Sequence, residues 1–379
     1  MLTSLLLIII YLSFISLGLP DSLLGSAWPS MYNTLNVPLH YAGYVSMITA
    51  AGTVISSIFS VRVIRRFGTG IVTAISVLMT AAALFGFSFS RQFVFLCLCA
   101  VPLGLGAGSV DAALNNYVAL HFKARHMNWL HCFWGIGASA GPVIMSFYLI
   151  QKNSWNSGYR AIGIIQTCLV LILFISLPLW EKNTGGENSA RHTPVKFGQL
   201  FHIAGVKQAL AAFFCYCTLE LVTGIWGASY LVIVKNVPPE IAAKWIALYY
   251  MGIAAGRFVS GFVTMKFNNR QMARLGQIIT GCGIIVLILP FGNTMLLPGL
   301  FLIGLGCAPV FPALLHETPK NFGEKNSQAI MGLQMGSAYV GNTLMPLLFG
   351  RIASIAGFAI FPAFIGIVLI MEIIMTATL

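Results

Sequence analysis

Nine carboxylates occur among the 379 residues, and three of them, Asp21, Asp111 and Glu220, sit deep within long apolar runs. A carboxylate inside a membrane-crossing helix is costly and marks an ion or solute path by default. Low dielectric disfavours the charged form of such a group. It can take up a proton on one side and release it once its surroundings become wet, which is the chemistry of a proton carrier. Cargo bound nearby would alter the solvation and couple the two events. The competing role for each carboxylate is a structural hydrogen bond. Asp21 follows Pro20 and could bind backbone amides freed where a helix breaks. At ~1.5 Å per residue, Glu220 lies about 20 Å beyond Lys207 and Asp111 about 18 Å from Lys123, both central in their runs. Glu317, Glu324 and Glu372 stand near the ends of apolar runs, where a solvated or snorkelling role is expected.

The neighbours of these acids suggest what they would act on. In the run from Val101 to Val118, Gly104, Gly108, Asp111 and Asn115 follow at i, i+4, i+7 and i+11, so they share one helix face. Small residues there admit a second helix, and the polar groups face that helix or a cavity. Asn116 is adjacent to Asn115, and only one of the two can face a cavity squarely. Arg257 is the one basic residue well inside an apolar run. It either pairs with a carboxylate or snorkels to the surface. A sugar-like solute calls for amides and an aromatic platform rather than a net charge. Candidates of that kind are Asn115, Asn116, His131, Trp134, Tyr216, Trp226, Gln334 and Asn342. His131 and Trp134 stand at i, i+3, and Tyr216 and Glu220 at i, i+4. For His131, a proton relay competes with a neutral ring hydrogen-bonded to a helix.

The elements that must position these groups follow from composition. Hydrophobic residues make up 58% of the chain and charged residues 8%, and the mean hydropathy is +0.87, far too apolar to cover a water-soluble surface. The chain therefore reads as an all-α polytopic membrane protein, and its net charge of +12 carries no argument for nucleic acid. Twelve spans of about 20 residues or more are expected at 3–28, 38–61, 69–89, 92–120, 127–150, 159–180, 205–234, 241–265, 272–291, 294–316, 326–350 and 356–377. The first lacks a basic leader and a small-residue cleavage site, and is expected to be retained. One long polar stretch divides the spans six and six. This gives an N-terminal bundle at 1–180, a linker at 181–204 and a C-terminal bundle at 205–379, with a short interfacial helix expected near Phe197–Phe201. Prolines 102, 142, 309, 312 and 346 are expected to let spans 4, 5, 10 and 11 bend. The eight cysteines lie in apolar segments without zinc-ligand spacing and read as small buried hydrophobes. No P-loop, HExxH or nucleophile elbow is present, so bond-making catalysis and ATP-driven transport are not expected, and no cofactor is implied.

Fourteen lysines and arginines fall in loops on the linker's side and six in the opposite loops, so the linker and both termini are expected in the cytoplasm. The halves repeat. Asn36-Val37-Pro38 matches Asn236-Val237-Pro238, and Gly104-Leu105-Gly106 matches Gly304-Leu305-Gly306, both at an offset of 200. Ala50-Ala51-Gly52 matches Ala254-Ala255-Gly256 at 204, which pairs Arg257 with Thr53, Arg62 with Lys266 and Arg66 with Arg270. At 200, Gln334 falls on Trp134. A duplicated six-helix unit in parallel orientation is the arrangement of transporters that rock two halves.

Six plus six spans, a central linker and a basic loop after the second span of each half resemble the major facilitator superfamily. The loop Ser60-Val61-Arg62-Val63-Ile64-Arg65-Arg66-Phe67-Gly68 keeps that family's basic cluster and glycine but lacks its acid, which weakens a charge-relay account of gating there; Arg62, Arg66 and Arg257 are the candidates for a gating or ion-pair role. Gly18-Leu19-Pro20-Asp21 through Trp28-Pro29, the Asp111 helix, and Phe213-Phe214-Cys215-Tyr216 leading to Glu220 and Trp226 are similar to the branch of fucose:proton symporters and related sugar carriers. The resemblance implies a major facilitator fold of two pseudo-symmetric bundles, with a cavity lined by spans 1, 4, 5, 7, 8, 10 and 11. It implies a monomeric secondary transporter in a bilayer, expected in a bacterial inner membrane. The cargo expected is a sugar or similar small polar solute, carried by proton symport through alternating access, with sodium as the alternative coupling ion. The rival expectation is proton-coupled efflux of drugs or amphipathic compounds.

Overall fold

A computed structural model describes residues 2–122, 124–180, 200–263, 266–289 and 292–379. The linker stretch 181–199, with most of the expected interfacial helix, lies outside them. Among the described residues there are thirteen α-helices, short 3-10 turns and no strand. They are α1 (Leu2–Asp21), α2 (Leu23–Thr34), α3 (Ala42–Phe67), α4 (Thr69–Phe89), α5 (Phe93–His121), α6 (Ala124–Lys152), α7 (Trp155–Ser176), α8 (Val206–Ile233), α9 (Pro239–Val263), α10 (Asn269–Ile288), α11 (Leu296–Phe322), α12 (Glu324–Ala356) and α13 (Phe361–Ala377). The first expected span is thus two helices, broken at Pro20-Asp21-Ser22. Helices α5, α6, α11 and α12 run on through their internal prolines.

Counting α1 with α2, eleven segments among the described residues are long and apolar enough to cross a membrane. The twelfth long helix, α12, has 33 residues, ample at ~1.5 Å each. Its hydropathy is lowered by Gln334, Ser337, Tyr339, Asn342 and Thr343, which are at most partly exposed and so are turned largely to protein or cavity. Isoleucine, leucine and phenylalanine dominate the exposed surface instead, as lipid contact requires.

The internal repeat reappears in packing. Asn36 and Asn236 both adopt φ 54°, each in the turn that closes a span. Helices α4 and α10 begin at Thr69 and Asn269, an offset of 200. A Cβ added to Gly104 would collide with the Thr49 carbonyl, and one on Gly304 with the Tyr249 carbonyl. Gly52 packs on Gly104, and Gly252 on Gly304 and Leu305. The contacts therefore fix the register of the second and eighth spans at 200. The match of Ala50-Ala51-Gly52 to Ala254-Ala255-Gly256 is one helical turn out of register. A slip of four residues almost preserves the helix face, which is why identical small residues mimic a true pairing. The counterpart of Arg257 is consequently Ser57, whose hydroxyl donates to the Gly108 carbonyl at 3.3 Å, and not Thr53.

Two expectations about single residues are corrected. Glu372 does not snorkel: it is 2% exposed and accepts a hydrogen bond from Gln277 Nε2 at 2.9 Å. Glu317 is also buried, bonded by Asn269 Nδ2 at 3.2 Å and 3.6 Å from Lys320 Nζ. In both, a polar partner on α10 removes the need to reach water. Among the cysteines, Cys168 and Cys282 are exposed on helix surfaces, because lipid accepts a thiol as readily as a core does.

The two sequence halves meet tightly at the end away from the linker. Gly25 of α2 abuts the Gly224 backbone of α8, and Gly43 abuts Leu347 of α12. Ser146 Oγ donates to the Glu240 carbonyl at 2.6 Å, and the Arg351 guanidinium donates to the Tyr44 hydroxyl. Trp28 is wholly buried there, donating to the Leu39 carbonyl at 2.6 Å.

Replacing Gly104 or Gly304 with alanine should lower stability by about 1–3 kcal/mol through overpacking. Gly332→Ala, where an added Cβ meets nothing within 4 Å, should not. Thermal unfolding of the purified proteins in one detergent checks this. Equal melting points for all three would refute the backbone contacts.

Candidate functional site

A cavity of ≈ 410 Å³ lies between the halves, below the seal at the end away from the linker. Its polar lining comes from α1, α3, α5, α6, α7, α8, α9 and α12, while α4 and α11 contribute only Phe87 and Phe311. Asp21 at the α1–α2 break, Asp111 of α5, His131 and Trp134 of α6, Tyr216 and Glu220 of α8, Arg257 of α9, and Asn342 of α12 all reach it. The spans expected to line it do so, and α3 joins them through Ser46, Thr49 and Thr53.

Asp21 is exposed to the cavity, and its Oδ2 accepts from Trp134 Nε1 at 2.8 Å. Asp21, the last residue of α1, thus reaches across to α6. The bond fixes the indole edge-on. Asp111 Oδ1 accepts from Asn115 Nδ2 at 2.9 Å, and the same nitrogen donates to the Asp111 carbonyl at 3.0 Å. Asn115 thus orients the carboxylate, as their i, i+4 spacing allows, and leaves the other carboxylate oxygen to the cavity. Asn116, one residue on, is exposed and points away from Asp111.

In the second half, Glu220 and Arg257 approach each other, with Nη2 3.8 Å from Oε1 and both side chains 21% exposed. That separation exceeds the ~2.7–2.9 Å of a direct charge-assisted bond. The Arg257 guanidinium also lies 4.8 Å from the centre of the Trp134 ring, a cation–π contact across the two halves. The pair sits in the cavity wall, so Arg257 does not snorkel. Tyr249 supports Glu220 from behind, its hydroxyl donating to the Glu220 carbonyl at 2.9 Å. His131 packs edge-on against Phe14 at 5.7 Å, and Tyr216 packs against Phe311 at 5.8 Å.

Other sequence candidates lie elsewhere. Trp226 is fully buried among Phe349 and Phe358, its indole donating to the Pro346 carbonyl at 2.8 Å, so it belongs to the second half's core. Gln334 is buried, accepts from Thr318 Oγ1 at 3.0 Å, and lines a smaller cavity of ≈ 60 Å³ within the second half. Arg62 and Arg66 lie over the rings of Phe59 and Phe67, at 5.8 and 5.4 Å, on the linker side of α3. Among the described residues no group of three or more His, Cys, Asp or Glu could hold a metal ion.

Tyr159, Tyr250 and Tyr339 line the cavity although sequence reasoning did not single them out. Spacing carried a signal for two of them. Tyr339 precedes Asn342 by three residues and Tyr250 precedes Arg257 by seven, so each shares a face with a cavity residue.

The model of the Major Facilitator Superfamily matches residues 10–243 and 209–379. A glucose/mannose transporter of Bacillus subtilis (strain 168), GlcP, is 24% identical over 262 residues, covering 64% of this chain and 62% of that protein. The match thus spans less than two thirds of that transporter's length. Bypass of stop codon protein 6 of Saccharomyces cerevisiae is 23% identical, covering 92% of this chain and 77% of that protein. Among solved structures, a mutant of the nucleoside transporter NupG superposes with a TM-score of 0.79 at 14% identity, covering 97% of this chain and 98% of that one. A bacterial homologue of the lysosomal transporter Spinster, inward-facing and unoccupied, gives 0.75 at 12% identity, covering 100% and 96%.

The Asp21–Trp134 bond is a carboxylate-to-indole contact, and its loss should be measurable. Trp134→Phe should lower the unfolding free energy by about 1–3 kcal/mol. Asp21→Asn, which keeps an acceptor oxygen, should cost less. A chemical or thermal unfolding series on the two variants decides it, and the reverse order would contradict the assigned geometry.

Proposed function

This chain belongs to the major facilitator superfamily, and we propose that it is a secondary active transporter for a sugar or similar small polar solute, working by proton symport through alternating access. It is a carrier in a membrane, not an enzyme. The observation that carries the finer reading is the cavity between the halves, walled by Asp21, Asp111 and Glu220 together with Trp134, tyrosines and Asn342. Carboxylate oxygens and hydroxyls are complementary to a donor-rich polyol, and aromatic faces to its apolar ring side. The glucose/mannose transporter among the relatives supports the same cargo class.

Asp111 or Glu220, one from each half, carries the coupling proton in this proposal. Each faces the cavity and has a neutral or loosely held partner, Asn115 and Arg257 respectively. In an aqueous cavity such a carboxylate gives up its proton, and in a closed, dry one it retains it. The tight seal away from the linker fits a state open toward the linker. The linker and both termini are cytoplasmic in this reading, consistent with the excess of basic residues on that side. The two bundles, 1–180 and 205–379, rock as units about the contacts between them.

Proteoliposomes carrying the purified chain should accumulate at least one of labelled glucose, mannose, fucose or a nucleoside when the outside is made acidic. Asp111→Asn with Glu220→Gln should abolish the pH-driven accumulation while counterflow exchange persists. Accumulation unchanged in the double variant would remove the proton-carrier assignment. Silence toward every sugar and nucleoside, with efflux of a lipophilic dye, would replace the cargo class.

A further inference from the structure

We propose that Arg257 is a resident occupant of the cargo platform, its guanidinium covering the Trp134 ring until a cargo that stacks on that ring displaces it onto Glu220. This rests on the sugar reading above and names the residue against which cargo competes.

Three contacts support it. The Trp134 ring is held in place through its edge, because Nε1 donates to Asp21 at 2.8 Å, so the indole presents a fixed face. The Arg257 guanidinium carbon lies 4.8 Å from that ring's centre, and both residues line the cavity, so a cation stands where an apolar sugar face would stack. Glu220 Oε1 is 3.8 Å from Arg257 Nη2, about an ångström longer than a direct charge-assisted bond, so Arg257 is shared between ring and carboxylate. A planar guanidinium can stack on an aromatic ring and also dock by its edge on a carboxylate. A small side-chain movement therefore converts the first contact into a full form of the second.

The backbones do not need to move for this exchange. Gly135, beside Trp134, already abuts Ala254 of α9, and Arg257 lies three residues further along that helix. The helices are fixed at their crossing, and the long Arg257 side chain is the mobile part. Ser57, at the equivalent place in the first half, bonds to its own neighbouring helix, so the device belongs to one half only.

Displacement makes cargo affinity a difference between two stacking partners, with a characteristic pattern among variants. Arg257→Gln vacates the ring and should tighten sugar binding about threefold or more. Glu220→Gln removes the place to which Arg257 withdraws and should weaken binding. The double variant should bind like Arg257→Gln, because without the guanidinium the carboxylate has no displaced partner to receive.

The test is 19F NMR on the full chain labelled with 5-fluorotryptophan, with Trp134 assigned through Trp134→Phe and D-glucose and D-mannose as titrants. Without sugar, Arg257→Gln should shift the Trp134 resonance. With sugar, the dissociation constants should follow the stated order. If Arg257→Gln does not fold, Arg257→Lys, which keeps the charge and loses the plane, should shift both readouts in the same direction. An unmoved Trp134 resonance overturns the proposal. So do single variants that change affinity in the same direction, or a double variant that follows Glu220→Gln, which would make Glu220 a direct cargo contact. No sugar response in wild type or any variant overturns the sugar reading and the displacement step with it. That outcome is separable from the others because the sugar-free shift is read first.

Discussion

Close approach of helix backbones is the constraint on which the rest of this structure depends. Lipid is as apolar as leucine, so helices in a bilayer gain little by burying leucine against leucine and must gain by packing closely instead. Gly104 and Gly304 each lie against a carbonyl of a neighbouring helix, and Gly52 and Gly252 pack back on them. These paired contacts hold α5 to α3 and α11 to α9. Because they bring backbone to backbone, they hold the helices closely enough for polar groups further along to meet at the cavity. Asp111 and Arg257 stand within three to seven residues of a packing glycine or alanine.

The halves share that framework and differ in what it carries. At the offset of 200, Asp111 falls on Phe311, Asn115 on Leu315, and Ser57 on Arg257. One half supplies the oriented Asp111–Asn115 pair and the Asp21–Trp134 pair. The other supplies Glu220 and Arg257. Charge is thereby divided across the interface. The first half offers two carboxylates without a basic partner in these contacts, and the second offers an acid and a base that largely offset each other. Arg257 crosses the division by lying on Trp134, so the cation of one half is joined to the aromatic of the other.

Much of this was legible in the chain. Spans, the duplicated unit and the Asp111–Asn115 face follow from periodicity and spacing, and the structure keeps all three. What the chain concealed is mostly rotational. Trp226 and Gln334 are polar-capable residues within spans, yet their helices turn them into the second half's interior, where Pro346 and Thr318 satisfy them. Hydropathy counts cannot separate a group facing a cavity from one facing a hydrogen-bonding neighbour, since both avoid lipid. Glu372 is hidden for a related reason. Distance from a span end measures access to water, but Gln277 on α10 supplies a partner that water would otherwise provide. The register slip on the eighth span has a different origin. Ala-Ala-Gly recurs one turn away from its true counterpart, and only carbonyl contacts distinguish the two alignments.

The break at Pro20-Asp21-Ser22 ties these features together. Asp21 is the last residue of α1, and its carboxylate reaches Trp134 on α6. The bond fixes the indole, the indole receives Arg257, and Arg257 approaches Glu220. A carboxylate near the start of the chain is thus linked, contact by contact, to a residue more than two hundred positions later. The same break begins α2, whose Gly25 abuts Gly224 and helps close the cavity at the end away from the linker. Closure above the cavity and polarity within it therefore meet at the junction of α1 and α2.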